Sequence, residues 1–433
     1  MIKRDKYLNE LITSMNNGLP KVVTGMRRSG KSYLLNTIFY QYLIGIGVEQ
    51  RNILSFEMDD ILNYEYRNPI KLINKIKETC IGVTGKKYIF IDEVQMINTI
   101  VNPEFSDGKI VTAKMDDENV ISFVDVVLGV SRMKDVDLYV TGSNSKFLSS
   151  DVITEFRGKS TNIHVLPLSF KEYYTYVGGD TQTALYEYLI HGGMPQSLFE
   201  NDKEQYLKNL FTTTYIRDIL DRNRIRKSES LDEICDVLSY QVGQFLNSQR
   251  ISNILESRKK EKLSKETVEK FINYFKETYL IQEAKRYDVK GNAVIGSTKK
   301  YYFTDLGLRN ARLDFTSIDI GQLLENLVYN ELIYNGYNVK VGTFNQVEKD
   351  KDSKSVMKSY EVDFYATKNA ETLYIQICND IDLQPVKERE MKPFGLIKNA
   401  GRKYLVINKP IGLMKMENGI LLSGIADFIL NQI

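Results

Sequence analysis

Cysteine, histidine, tryptophan and long apolar runs are scarce or missing in this chain of 433 residues. Its three cysteines, Cys80, Cys235 and Cys378, are far apart, which argues against a disulfide scaffold and against a cysteine-rich zinc site. The two histidines, His164 and His191, have no partner at a metal-binding spacing. No apolar run reaches the ~18 residues of a membrane-spanning helix, so we expect no contact with a membrane.

An excess of charge of either sign is also missing, because the net charge is only +2. This balance excludes a wholly basic protein that coats nucleic acid, although local basic faces remain compatible with it. The first residues become polar and acidic before the apolar core of a signal peptide develops, so we expect a cytoplasmic protein. The length predicts two to four domains.

The most informative feature that is present is a glycine-rich segment of the form G-x-x-x-x-G-K-S. Gly25 and Gly30 allow the backbone to curl so that successive N–H groups point at one anion. In such a loop Lys31 reaches the β- and γ-phosphates of a nucleoside triphosphate, and the Ser32 hydroxyl holds Mg²⁺. An apolar run before the loop predicts a strand, and the residues after it predict a helix. The expected nucleotide-binding residues are Gly25, Met26, Arg27, Arg28, Ser29, Gly30, Lys31, Ser32 and Tyr33.

A second apolar strand ends in two adjacent carboxylates, Asp92 and Glu93. By itself, such a pair usually marks only a strand that leaves the core. Downstream of a phosphate loop it is typical of a nucleotide hydrolase. There the first carboxylate supports Mg²⁺ and the second polarises the attacking water. We therefore expect Asp92 to be a metal ligand and Glu93 to be catalytic.

A third strand ends in the hydroxyl- and amide-rich sequence that contains Ser143 and Asn144. A polar side chain at this strand end can sense the γ-phosphate or help to place the water, although the same residues are also typical of an ordinary turn. Farther along, Arg157 and Lys159 place two cations in a short loop. They are either an arginine-finger segment that reaches a phosphate, in its own subunit or a neighbour, or a solvated charge pair.

These motifs together resemble a family of AAA-type ATPases that is widespread in archaea and bacteria and carries a C-terminal domain of uncharacterised function. The resemblance rests on the phosphate loop, on Phe-Ile-Asp-Glu-Val-Gln and Val-Thr-Gly-Ser-Asn-Ser-Lys, and on the later Gly192-Gly193-Met194-Pro195. It implies ATP binding and hydrolysis, a helical lid after the core, and oligomerisation by analogy. The family often ends its finger loop in Gly-Arg, where this chain has Gly158-Lys159. Because lysine lacks the bidentate fork of arginine, Arg157 is the better finger candidate.

The middle of the chain has the pattern of a winged helix-turn-helix. A helix from Ser264 presents Val268 and Phe275 on one apolar face, and two strand-like segments at 281–287 and 299–303 follow it. Such a helix would enter a DNA major groove through its exposed face. Two acidic residues accompany the lysines of that face, so binding of double-stranded DNA and binding of a protein target remain alternatives. The exposed face consists of Lys265, Glu266, Glu269 and Lys270.

The C-terminal part has the order of carboxylates found in PD-(D/E)xK nucleases, in which carboxylates hold Mg²⁺ and a lysine orients the water. Glu325, Asp363 and Gln376 occupy matching places, but Cys378 stands where the lysine belongs. A thiol does not supply that cation. We therefore expect a nuclease-like fold without nuclease activity, with weak metal binding still open.

The predicted fold class is α/β, with a mostly parallel P-loop core followed by a helical lid, a winged helix and an α/β PD-(D/E)xK-like domain. The predicted domains are the ATPase core at 1–178, the lid at 179–227, the winged helix at 228–312 and the nuclease-like domain at 313–433. The predicted function is an ATPase that acts as a switch or remodeller. Two alternatives are an ATP-dependent DNA-processing nuclease and a non-hydrolysing regulator or interaction module.

Overall fold

A computed structural model describes residues 2–115, 117–143, 160–223, 225, 229–259, 263–349, 354–379 and 384–433. The chain divides into two compact units, Met1–Leu166 and Pro167–Ile433. Within the described ranges, no helix has both the length and the apolar character needed to cross a membrane.

The first unit is organised around a parallel sheet. The strands of this unit are β1 (Lys21–Thr24), β2 (Ile53–Glu57), β3 (Lys87–Asp92), β4 (Ile100–Val101), β5 (Val120–Ile121), β6 (Val136–Gly142) and β7 (Thr161–His164). The parallel sheet has the order β2-β3-β6-β1-β7. Strands β1, β3 and β6 are buried almost throughout, as expected of parallel strands that are covered on both faces. The predicted α/β core with a mostly parallel sheet is confirmed.

Helices surround this sheet. They are α1 (Asp5–Ser14), α2 (Lys31–Tyr33), α3 (Tyr40–Gly45), α4 (Pro69–Cys80) and α5 (Phe123–Ser131). The helix predicted after the phosphate loop is present, but Leu34–Phe39 between α2 and α3 is π-helical. A core of aliphatic side chains from α4, α5, β3 and β6 covers one face of the sheet. The polar segment 102–119 connects β4 to β5, which pair with each other in antiparallel fashion.

The second unit contains a mixed sheet. Its strands are β8 (Ile281–Asp288), β9 (Ala293–Phe303), β10 (Asn338–Lys349), β11 (Ser355–Lys368), β12 (Glu371–Cys378), β13 (Arg402–Ile407), β14 (Met414–Lys415) and β15 (Leu421–Gly424). Their order in the sheet is β14-β15-β13-β12-β11-β10-β8-β9. Strands β12, β13 and β15 run parallel, whereas β10 and β11 form a long antiparallel hairpin.

The remaining described helices also belong to the second unit. They are α6 (Phe170–Val177), α7 (Thr181–His191), α8 (Lys203–Leu210), α9 (Arg217–Asn223), α10 (Glu229–Tyr240), α11 (Ser248–Lys259), α12 (Lys265–Glu277), α13 (Leu306–Arg312), α14 (Ile320–Tyr334), α15 (Gln384–Leu396) and α16 (Ile425–Asp427). Helices α10 and α11 precede α12, and the β8–β9 hairpin follows it, so the helix predicted from Ser264 and the two strand-like segments predicted after it are present in that order. Ser264 caps the amino end of α12, because the Thr267 N–H donates to Ser264 Oγ at 3.2 Å.

The β8–β9 hairpin continues into the C-terminal sheet. Strand β8 pairs in parallel with β10 through Arg286, Tyr287 and Asp288. One sheet therefore contains both the hairpin predicted for the winged helix and the strands predicted for the nuclease-like domain. The predicted border at 312/313 falls between strands of that sheet.

Candidate functional site

The phosphate loop leaves strand β1 at Gly25, whose backbone φ is +145°. A Cβ atom at this position would come within 2.1 Å of the Val165 carbonyl oxygen, which follows the neighbouring strand β7. Gly30, with φ +94°, adopts a left-handed conformation directly before α2. Both glycines thus have conformations that side-chain-bearing residues rarely adopt, and one of them has no room for a side chain.

Lys31 is buried inside the curve of the loop. Its Nζ donates to the carbonyl oxygens of Gly25 at 3.1 Å and Met26 at 2.9 Å. Burial lowers the pKa of Lys31, and the nearby charges of Glu93 and Asp92 partly oppose this shift. The ammonium group therefore lies between the loop and the paired carboxylates, which is the position from which a lysine neutralises phosphate oxygens.

Asp92 and Ser32, the two predicted magnesium ligands, face each other. Their side chains are hydrogen-bonded, and the Thr141 hydroxyl at the end of β6 also donates to the Asp92 carboxylate. Burial raises the pKa of Asp92, whereas these two hydrogen bonds lower it. A hydroxyl and a carboxylate side by side are hard oxygen donors of the kind that Mg²⁺ binds beside substrate phosphates, so the residues present fit this ion.

Glu93 occupies a left-handed backbone conformation, with φ +52°, at the carboxyl end of β3. Its N–H donates to Thr141 Oγ1 at 2.9 Å. Its carboxylate accepts from the Ser143 hydroxyl at 3.0 Å and from the Gln95 side-chain amide. The strained backbone turns the Glu93 carboxylate toward the end of β6, where these two donors fix it.

Ser143 connects the Glu93 carboxylate to the phosphate loop. Arg27 Nε lies 3.5 Å from Ser143 Oγ, and Gln95 Nε2 lies 3.3 Å from it. The structure thus brings Lys31, Asp92 and Glu93 to one edge of the parallel sheet, where its strands end. In open α/β sheets this is the edge at which ligands bind.

The other loop residues differ in their surroundings. Met26 and Ser29 are buried, and the Ser29 hydroxyl has no hydrogen-bond partner among the described residues. Arg28 is exposed and left-handed, with φ +60°, and Tyr33 is partly exposed. A buried hydroxyl without a protein partner inside a phosphate loop is consistent with a loop built to hold an anion. Asn144, Arg157 and the Gly158-Lys159 pair lie outside the described residues.

Two contributors at this edge were not assigned from the sequence, Thr141 and Gln95. Thr141 lies beside Asp92 because β3 and β6 are neighbours, with Ile91 paired to Val140. Gln95 reaches Glu93 because it follows two residues later, after the backbone has turned. The Val-Thr-Gly-Ser and Asp-Glu-Val-Gln segments contained both residues, but their roles depend on strand order, which spacing does not reveal.

The second unit brings together part of the predicted nuclease-like set. Glu325 on α14 and Asp363 on β11 are neighbours, and burial together with the charge of Glu325 raises the pKa of Asp363. The Gln376 side-chain amide donates to Glu390 at 2.8 Å, on α15. Cys378 is buried in a hydrophobic cluster. No group of three or more histidine, cysteine, aspartate or glutamate side chains in the described ranges has a metal-binding arrangement.

The predicted recognition helix, α12, has the expected two faces. Val268, Ile272 and Phe275 are buried. Lys265, Glu266, Glu269 and Lys270 are exposed. A mixed rather than uniformly basic set of side chains therefore faces solvent.

Comparisons with known proteins identify the family of the chain. Residues 17–174 match a family model described as an AAA domain, and residues 182–319 match a domain of unknown function (DUF8612). An uncharacterized protein of Haemophilus influenzae is 31% identical over 418 residues, which cover 94% of this chain and 94% of the relative. The chain belongs to this family of AAA-domain P-loop ATPases. Membership supports ATPase activity in general terms.

A more distant relative of this ATPase occurs in an archaeon. An uncharacterized protein of Methanocaldococcus jannaschii is 27% identical over 395 residues, covering 86% of this chain and 77% of the relative. Among solved structures, a Walker-type ATPase of Pyrococcus abyssi is similar with 15% identity and a TM-score of 0.47, over 72% of this chain and 96% of that one. The sequence relatives therefore extend along both units of the ATPase.

Proposed function

We propose that this ATPase binds Mg·ATP through residues 25–33 and hydrolyses it. The observation that carries the proposal is the convergence of Lys31, Ser32, Asp92 and Glu93 at one edge of the parallel sheet. The loop N–H groups and Lys31 would hold the β- and γ-phosphates. Ser32 and Asp92 would hold Mg²⁺, which offsets charge on the phosphates when it is bound.

Hydrolysis proceeds by in-line attack of a water that Glu93 orients and polarises. The carboxylate needs a fixed direction for this task, and the hydrogen bonds from Ser143 and Gln95 support such a fixation. Lys31 offsets charge that develops on the transferred phosphoryl group. Arg157 is proposed as the finger, in its own subunit or in a neighbouring copy of a homo-oligomer. Asn144 is proposed as a residue that senses the γ-phosphate.

We further propose that ATP turnover acts as a switch or remodelling step and that the second unit engages the target. Residues 228–312 would form the winged helix, and α12 would contact double-stranded DNA through Lys265 and Lys270. Support comes from the helix order and from the exposure of both lysines. Glu266 and Glu269 on the same face favour weak or shape-dependent contact over tight sequence-specific readout. A protein target of the same surface is the competing outcome.

Residues 313–433 are proposed to be nuclease-like in fold without cutting DNA. Cys378 stands at the place of the motif's lysine and packs in an apolar cluster. Gln376 is engaged with Glu390. These contacts disfavour the DNA-processing alternative. The Glu93 arrangement, in turn, disfavours a regulator that only binds nucleotide, because such a protein has no use for an oriented carboxylate.

The experiment that tests this proposal is phosphate release from Mg·ATP by the intact chain and by Glu93→Gln, each with and without duplex DNA. We expect turnover that the variant lacks and that DNA stimulates, while both proteins retain ATP binding. Equal phosphate release by the two proteins would contradict the hydrolytic role of Glu93. Turnover that depends on Glu93 and is indifferent to DNA would redirect the target assignment to a protein.

A further inference from the structure

Two arginines occupy neighbouring positions in the phosphate loop, and their surroundings differ. They lie in a turn in which the Ser29 N–H donates to the Met26 carbonyl oxygen at 3.3 Å. Arg27 is only partly exposed and lies beside the end of β6, with its Nε 3.5 Å from Ser143 Oγ. Arg28 is exposed and has a left-handed backbone, with φ +60°. One arginine of the pair therefore belongs to the candidate site, and the other faces solvent.

Arg27 lies close to two groups that are proposed to act in hydrolysis. Ser143, beside Arg27, donates its hydroxyl to the Glu93 carboxylate at 3.0 Å. Burial lowers the pKa of Lys31, and the positive charge of Arg27 acts on this pKa in the same direction. The Arg27 guanidinium is therefore near both the carboxylate that would polarise the water and the ammonium that would hold the γ-phosphate.

Two neighbouring cations indicate the kind of ligand that this part of the loop would hold. Arg27 and Lys31 repel each other, and an anion bound between them relieves this repulsion. The Ser29 hydroxyl points independently to an anion in the loop, because it is buried and has no hydrogen-bond partner in the part of the chain that the structure describes. The two cations and this hydroxyl together fit a phosphate group that carries several negative charges.

We propose that Arg27 is a catalytic residue that binds the γ-phosphoryl group within its own chain and stabilises the charge of the transition state. The inference rests on the proposed hydrolysis of ATP at this site. It gives Arg27 a role separate from the finger role proposed for Arg157. The phosphate loop itself supplies this arginine, so no neighbouring copy of the chain is needed for its action.

The reaction transfers the γ-phosphoryl group from ATP to water. The water oxygen forms a bond to the γ-phosphorus while the bond from this phosphorus to the bridging oxygen breaks, and the electron pair of that bond remains on ADP. The proton of the water passes to Glu93. Negative charge is spread over the oxygens of the phosphoryl group during the transfer, and the fork of N–H donors on Arg27 can bind two of these oxygens at once.

The test compares the native full chain with Arg27→Ala and with Arg27→Lys, which keeps the charge without the fork. It measures kcat for phosphate release from Mg·ATP, the affinity for Mg·ADP, and the affinity for Mg·ADP with aluminium fluoride, which imitates the phosphoryl group during transfer. Arg51→Ala is the matched control, because Arg51 is an exposed arginine that pairs with Glu49 outside the site.

Arg27→Ala is expected to lower kcat at least about a hundredfold and to weaken binding of the aluminium fluoride complex at least about tenfold. Its affinity for Mg·ADP should stay within about threefold, which also shows that the variant is folded. Arg27→Lys should recover part of kcat, and Arg51→Ala should behave like the native chain. Loss of ADP affinity in both Arg27 variants would assign this arginine to ground-state binding and overturn the proposal.

A double variant separates a direct role of Arg27 from a role exerted through Ser143. If Arg27 acts on the phosphoryl group, Arg27→Ala lowers kcat by a similar factor in the native chain and in Ser143→Ala. If Arg27 only orients Ser143, the second change has no further effect, and the proposal is overturned. Mixing Arg27→Ala with Lys31→Ala tests the action within one chain, because activity restored by mixing would show that a neighbouring copy supplies the arginine.

Failure of the proposed function has a different signature in the same experiment. The native chain would then release no more phosphate than Glu93→Gln, and the proposed hydrolysis and this inference would both be wrong. If the native chain hydrolyses ATP in a manner that needs Glu93, and Arg27→Ala matches it in kcat and in binding of the aluminium fluoride complex, only the role of Arg27 is overturned.

Discussion

Ser143 joins the proposed catalytic carboxylate to the phosphate loop. Its hydroxyl donates to Glu93 at 3.0 Å and accepts from Arg27 at 3.5 Å. These contacts favour a role for Ser143 in positioning the Glu93 carboxylate over a direct part in binding the nucleotide. Its removal should therefore change the chemical step and leave affinity for ATP almost unaltered.

We predict that Ser143→Ala lowers kcat by about ten- to a hundredfold, because the carboxylate loses one of its two donors. KM for ATP should stay within about twofold. Steady-state phosphate release measures both constants. Ser131→Ala is a suitable control, since among the described residues its hydroxyl bonds only the Leu128 carbonyl, at 3.0 Å and within α5. A rise in KM without a fall in kcat would assign Ser143 to binding.

The phosphate loop has no space for a side chain at Gly25, which leads to a prediction about stability and ATP binding. A Cβ atom there would come within 2.1 Å of the Val165 carbonyl oxygen, at φ +145°. We expect Gly25→Ala to destabilise the protein by about 2–4 kcal/mol and to abolish ATP binding, because strand β7 or the loop must move. Gly45→Ala is the matched control, since nothing lies within 4 Å of its Cβ position. Urea unfolding and equilibrium ATP binding provide the measurements, and equal stability of the two variants would contradict the prediction.

The sequence predicted the residues that lie within contiguous motifs. Lys31, Ser32, Asp92 and Glu93 were predicted because each pattern combines a chemically necessary side chain with a local backbone turn, and the structure places them close together. Thr141 and Gln95 were not assigned roles, because their contacts arise from strand adjacency and a left-handed residue. Neither strand adjacency nor a left-handed backbone conformation can be recognised from the spacing of residues in the sequence.

At the scale of elements, Asp305 connects two helices of the second unit. It caps α13, accepting from the Leu308 N–H at 3.0 Å, and also accepts from the Gly193 N–H at 2.7 Å. A Cβ atom at Gly192 would come within 2.4 Å of Asp305 Oδ1. The Gly192-Gly193 pair after α7 therefore permits the backbone to close around a buried carboxylate.

Burial raises the pKa of Asp305 from 3.8 to about 6, although backbone hydrogen bonds oppose the shift. Because the folded-state pKa exceeds the unfolded value, the folded protein binds the proton more tightly. The stabilisation from this group is complete below pH 3.8 and is lost as the pH rises through about 6.

We predict that the free energy of unfolding of the native protein, relative to Asp305→Asn, falls by up to about 3 kcal/mol between pH 4 and pH 7. The asparagine side chain does not titrate, so the difference isolates this carboxyl group. Urea unfolding at both pH values measures it. A difference that is constant with pH would show that Asp305 titrates normally.

Most secondary structure of the middle region could be predicted from its local pattern. The helix expected from Ser264 is α12, and the strands expected at 281–287 and 299–303 are β8 and the end of β9. Apolar periodicity and a serine cap depend only on neighbouring residues, so they can be recognised in the sequence. The parallel pairing of β8 with β10 joins residues 55 positions apart, such as Arg286 and Val341, and no periodicity encodes it. The π-helical segment Leu34–Phe39 likewise has no pattern that distinguishes it from an α-helix.

At the scale of the whole molecule, nucleotide binding should slow amide hydrogen exchange in the segments that contain the proposed site residues. We predict that Mg with a non-hydrolysable ATP analogue slows amide hydrogen exchange at residues 21–33, 91–95 and 140–143. At one hundred times the dissociation constant, binding contributes about 2.7 kcal/mol to stability. Lys31→Ala should show no such protection. Protection of the native chain confined to residues outside these segments would contradict the proposed site.

The family comparisons and the structure divide the molecule differently. The matched domain of unknown function ends at residue 319, just before α14 begins at Ile320. The sheet containing β8 and β9 continues through β10 to β15. The described second unit, which runs from Pro167 to Ile433, is therefore larger than any domain that was predicted from the sequence. The domain borders proposed at residues 178, 227 and 312 remain predictions.

The continuity of β8 with β10 also determines how the protein can be dissected in the laboratory. A fragment that stops near residue 312 would carry β8 with one bare row of backbone hydrogen-bonding groups, which invites edge-to-edge aggregation. It would also retain Lys300 without Glu325 and Glu361, the two carboxylates with which it pairs in the whole chain. The complementary fragment would expose the matching edge of β10. Poor solubility of either piece would thus report a divided sheet, whereas a fragment that begins near Pro167 keeps this sheet whole within its compact unit.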